Sequence, residues 1–136
     1  MKISEYLLSF VGRPYIWGGD GSGGCDGGFD CSGLVLEGLW AFGLYGGSDT
    51  TAQGLYKSLR AEGWIPVPMF LENDGDVLFF GKDTARITHT AMALGDGLMV
   101  EAGGGGSKCE SAATSSGMVR VRPIASRKDL VAALRK

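Results

Sequence analysis

The chain reads as one α+β domain spanning residues 1–136, with helices from its first half packed on an antiparallel sheet from its second. Two observations predict this. Up to residue 63 apolar residues recur at helical spacing between glycine stops, whereas from residue 76 to 124 short β-rich runs alternate with turn residues. A chain of 136 residues is long enough to bury a proper core and leaves little room for a second one.

The elements follow in order. "ISEYLLSFVG" predicts an amphipathic helix, with Ser4 as N-cap and Gly12 as its stop ahead of Pro14. "RPYIWGGDGSGGCDGGFD" is a glycine-rich loop with an aromatic pair, Tyr15 and Trp17, at its entrance. "CSGLVLEGLWAFGL" predicts the second helix, its apolar face carrying residues 34, 35, 39 and 42. "TTAQGLYKSLRAEG" predicts a third, capped by Thr50 or Thr51. "DVLFFG", "ITHTAMAL", "LMVEAG" and "MVRVRPI" then read as strands, and "SRKDLVAALRK" as a closing helix capped by Ser126.

Composition narrows the function. The net charge of −2 advertises neither a nucleic-acid partner nor an anionic membrane, and no apolar run approaches a membrane span. "MKISEYLLSFVGRPY" has no secretion-signal pattern. Glycine is the outlier: 24 residues, more than double the usual frequency, clustered at 18–28 and 103–106 beside candidate chemical residues. Three cysteines (25, 31 and 109) form no CxxC pair, and one histidine is too few for a Cys/His zinc site, so neither a metal nor a cofactor is expected.

Cys31 opens a predicted helix, where backbone N–H groups favour a thiolate, and the loop before it is too rich in glycine to bury it. Packing and nucleophilic attack both fit that position. The only base of the right kind is His89; period-2 alternation sets Ile87, His89, Ala91 and Ala93 on one strand face, and the two alanines leave room beside the imidazole. A cysteine–histidine pair needs a third group to orient the ring, and Glu101 is the candidate. A two-residue Asp-Gly turn would put Glu101 on the face opposite His89. A three-residue loop over 95–97 would pair 91 with 101 and set the carboxylate diagonal to the histidine. Asn73, Asp76 and Thr88 are the other polar groups to weigh.

"GRPYIWGGDG…FDCSGL", "NDGDVLFF" and "THTAMALGDGLMVEAGG" together resemble the NlpC/P60 cell-wall cysteine peptidases, a papain-like group, over residues 2–122. The sequence departs from that pattern in Thr90-Ala91, where Val-Gly is usual, and in an expanded loop that contains Cys25. The resemblance implies hydrolysis of a stem-peptide amide in bacterial peptidoglycan, classically between γ-D-glutamate and meso-diaminopimelate. It makes Cys31 the nucleophile, His89 the base and Glu101 the orienting group. Tyr15 would join the Cys31 N–H as oxyanion donor. Asp30 and Ser32 would line the pocket and read a free amine, with Trp17 also at the substrate; helix capping is the alternative for both and explains Asp30 equally well. A stand-alone version further suggests a bacteriophage type, made in the host cytoplasm or carried by a virion and delivered by a holin or tail. An amidase or acyltransferase on the same scaffold, or a non-catalytic wall-binding module, are the alternatives. Cys25 and Cys109 are expected to be free, non-catalytic thiols.

Overall fold

The computed structural model describes residues 1–16, 28–104 and 117–136. Trp17, Cys25 and Cys109, with the expectations placed on them, lie outside these residues. Three helices, α1 (Ile3–Leu8), α2 (Cys31–Ala41) and α3 (Ala52–Ala61), precede the main strands. The strands are β1 (Ile65–Pro66), β2 (Val77–Gly81), β3 (Ile87–Gly95), β4 (Leu98–Gly103), β5 (Met118–Pro123) and β6 (Leu130–Arg135). They form one antiparallel sheet of order β1-β6-β2-β3-β4-β5. No helix among the described residues is long and apolar enough to cross a membrane.

The middle of the sheet is buried on both faces, so its central strand β2 is continuously apolar. Along β2, Val77 and Phe79 join Leu7, Leu34, Leu39 and Leu55 on the helical side. Leu78 and Phe80 join Ala91, Ala93, Met99 and Ala133 on the other. Helix and strand boundaries carry local signatures. Asp30 caps α2 by accepting the Gly33 N–H at 2.7 Å, and Thr51 caps α3 by accepting the Gly54 N–H at 3.1 Å. Gly12, at φ +96°, closes the turns that follow α1 rather than α1 itself, which ends at Leu8 with Ser9 as its C-cap, and Asp96-Gly97, both at positive φ, turn the β3–β4 hairpin.

Other expectations about the elements fail. Ser4 is buried inside α1, whose N-cap is Lys2 without a side-chain hydrogen bond. Phe42 is the C-cap of α2 and partly exposed, and Leu36 takes its place in the core. The largest departure is the C-terminus. "LVAALR" is not a helix but β6, inserted between β1 and β2. A short apolar run fits a buried strand as well as a helix, and pairing on both edges outweighs the helix propensity of its alanines. The Arg135 guanidinium pins that strand by a fork onto the buried Asp76 carboxylate, at 2.9 and 2.8 Å.

Candidate active site

Strand register decides which side chains meet. The hairpin has the two-residue turn, pairing Gly95 with Leu98, yet Ala93 pairs with Met99 and Met92 with Val100. An extra residue, Leu94, is bulged out of the ladder and moves β4 by one position. Glu101 therefore shares a face with His89 by the turn that, unbulged, would have separated them. A second irregularity precedes His89: Phe80 pairs with His89 and Gly81 with Ile87, so Thr88 is skipped. Ile87 consequently turns to the helical core, away from His89, Ala91 and Ala93. The two alanines leave no open space, being fully buried in the far-side core.

His89 Nε2 lies 2.8 Å from Glu101 Oε1, and both side chains are buried. The other carboxylate oxygen, Oε2, accepts the Arg120 Nε–H at 2.9 Å and lies 3.1 Å from Arg122 Nε. Burial alone would raise the Glu101 carboxyl, but the His89 hydrogen bond and charge and the two guanidiniums overcome it and hold the group at about 2. An ionised Glu101 only accepts, so neutral His89 carries its proton on Nε2 and leaves Nδ1 as the basic nitrogen.

Cys31 arrives from the helical layer at the same stretch of β3. The β3–β4 ladder runs no further than Met92–Val100, and the Thr90 backbone N–H reaches the Cys31 sulfur. The thiol is half-buried and free. Burial pushes it up to about 11; the N–H groups of Thr90, Ser32 and Cys31 pull it down, and the Asp30 carboxylate adds to the rise. The depressed value suggested by a helix N-terminus is therefore not found: desolvation outweighs the oriented N–H groups.

The sulfur opens on a cleft of about 650 Å³ that also carries Tyr15, Asp30, Ser32, Asp49, Thr50 and Thr88. Four of the residues picked out in the sequence, Tyr15, Asp30, Cys31 and Ser32, thus border one space. Asp30 is the cap, and Ser32 supports it: besides the Gly33 N–H, Asp30 accepts the buried Ser32 hydroxyl at 3.4 Å. Among the alternatives for the third group, Asp76 is committed to Arg135 and the Asn73 N–H, and Thr88 faces the cleft. No three His, Cys, Asp or Glu side chains among the described residues stand together as a metal site. The residues the sequence reading missed are Arg120 and Arg122. Their signal is the R-x-R alternation in "MVRVRPI", which in a strand beside β4 puts both guanidiniums on the Glu101 face.

A Cys31 thiol on a cleft, packed on the strand whose His89 forms a buried couple with Glu101, suits nucleophilic attack on an acyl group. Comparison with known proteins agrees: residues 12–124 match the model of the NlpC/P60 family. The chain belongs to the NlpC/P60 family. The chain is similar to the probable endopeptidase Rv2190c of Mycobacterium tuberculosis, 41% identical over 72% of this chain and 22% of that protein. The peptidoglycan endopeptidase RipA of the same organism is 34% identical over 90% of this chain and 25% of that protein. The chain thus spans about a quarter of the length of these curated relatives. The crystal structure of the NlpC/P60 domain of the peptidoglycan hydrolase SagA superposes with a TM-score of 0.70, covering 98% of this chain and 96% of that one. At 24% identity that likeness shows the shared α+β fold alone. Both curated relatives are mycobacterial proteins and lend a phage origin no support.

Proposed function

We propose that this NlpC/P60 domain is a peptidoglycan endopeptidase that cleaves stem-peptide amides, the γ-D-glutamyl–meso-diaminopimelate bond being its target. The observation that carries the reading is the buried His89–Glu101 couple at 2.8 Å, set against the strand segment that meets Cys31. The names of the relatives Rv2190c and RipA support the reaction class.

With the thiol held near 11, Cys31 rests largely protonated at neutral pH. His89 Nδ1 takes its proton as the sulfur attacks the scissile carbonyl, and Glu101 steadies the imidazolium that forms. The tetrahedral oxyanion is met by the Cys31 backbone N–H, at the first turn of α2, and by the Tyr15 hydroxyl. Collapse returns the proton from His89 to the departing amine and leaves a thioester on Cys31. Water, deprotonated by His89, then releases the carboxylate and restores the thiol. Asp30 and Asp49 make the cleft wall acidic, which suits a substrate bearing a free ammonium group.

Digestion of purified peptidoglycan, with the new termini identified by mass spectrometry, tests the proposal. A new diaminopimelate amine and a new γ-D-glutamate carboxyl are expected. Release at a sugar–peptide amide would make the domain an amidase, and binding without release would make it a wall-binding module.

A further inference from the structure

Glu101 has more cationic partners than an orienting residue needs. Its two oxygens are divided, Oε1 to His89 and Oε2 to the guanidiniums of β5. Arg120 sits directly across the ladder from Glu101. Its approach depends on missing side chains. A Cβ at Gly103 would fall 2.8 Å from Glu101 Oε2 and 3.0 Å from Arg120 Nη2, and one at Gly104 would fall 3.0 Å from Arg120 Nη1. Arg122 Nε is buried near the same oxygen without hydrogen-bond geometry, so it contributes charge alone.

We infer that Arg120, assisted by Arg122, is a positioning residue that fixes the Glu101 carboxylate and shares its charge, so that Glu101 orients His89 without trapping it as imidazolium. The inference rests on the proposed role of His89 as base. A lone glutamate would be neutralised by protonating His89. Here one carboxylate stands between two guanidiniums, already leaving one positive charge in excess, and a protonated His89 adds a second. The remaining groups facing this cluster do not reverse that balance. Cys31 comes from α2. Ahead of β6, Asp129 senses His89 but is ion-paired with Arg127, whose guanidinium lies 5.0 Å from the Phe80 ring that packs on His89. Excess positive charge favours return of the proton to the leaving amine, which the second half of the reaction requires.

The chain has one histidine, so its imidazole NMR signals report His89 alone. In Arg120→Gln the His89 titration midpoint should rise by roughly half to one unit relative to the parent protein, as expected for loss of one nearby like charge. Arg120→Lys should restore most of the parent midpoint, and the acid limb of kcat/KM on peptidoglycan should move with the midpoint. An unchanged midpoint in folded Arg120→Gln would reduce Arg120 to packing and overturn the inference. If that variant does not fold, Arg122→Gln removes the same charge without a hydrogen bond; a rise supports the inference and no change overturns it. The titration needs no substrate. A protein inert on peptidoglycan whose midpoint still moves would refute the peptidase reading and keep the charge sharing.

Discussion

Replacing Glu101 with glutamine keeps the side chain's size and an acceptor oxygen but removes the one negative charge shared by His89, Arg120 and Arg122. The folded carboxyl sits at about 2, against 4.5 for the free group. Its folded-state value is depressed, so it stabilises the fold fully above 4.5 and loses that contribution as pH falls toward 2. The difference corresponds to about 3 kcal/mol at pH 7. This is an upper figure for the variant, because the arginine side chains are 30% exposed and water takes over part of the lost pairing. A melting temperature lowered by roughly 10 °C at pH 7 is expected for a domain of this size. The decisive measurement is denaturant unfolding of parent and Glu101→Gln at pH 7 and at pH 3. Every other carboxylate titrates alike in both proteins, so the gap between them isolates position 101. It should shrink to about 1 kcal/mol at pH 3. Hydrolysis at pH 7 should fall roughly 10- to 1000-fold, a partial loss typical of orienting groups. Equal stability at pH 7, or a gap that is the same at both pH values, would refute the shared-charge account of Glu101.

Cys31→Ala should abolish hydrolysis with less than about 1 kcal/mol lost on unfolding, since the half-buried thiol fills little core volume. Iodoacetamide should label Cys31 slowly at pH 7 and faster toward pH 11; rapid, pH-independent labelling would show that burial does not govern the thiol. Gly81→Ala should cost about 2 kcal/mol in urea unfolding, because its Cβ would lie 2.2 Å from the Arg86 carbonyl oxygen at the irregularity preceding His89. Asp76→Ala should cost about 1–3 kcal/mol and speed amide exchange in β6, while activity per folded molecule stays unchanged.

What could be read from the sequence divides along a physical line. The cap at Thr51, the turn at Asp96-Gly97 and the four main strands depend on residues near one another in the chain, and each was legible. The motif "FDCSGL" likewise put Cys31 at the head of α2. What was not legible depends on distant partners. β6 becomes a strand because β1 and β2 each lend it an edge, and nothing within "LVAALRK" records that. The Cys31 thiol rises because α2 is pressed on β3, a burial that the glycines before it do not foretell. The His89–Glu101 couple shows how the two kinds of information combine. From turn chemistry alone, Asp96-Gly97 is a two-residue hairpin that sends Glu101 to the wrong face. In the register observed, Met99 enters the far-side core while Val100 and Ala102 enter the helical one, which brings Glu101 to the right face. The chain keeps the two-residue turn and still reaches that register by bulging Leu94, an adjustment the turn residues do not contain. Arg120 then follows without further choice, because the residue across the ladder from a buried carboxylate is where a balancing charge has to stand.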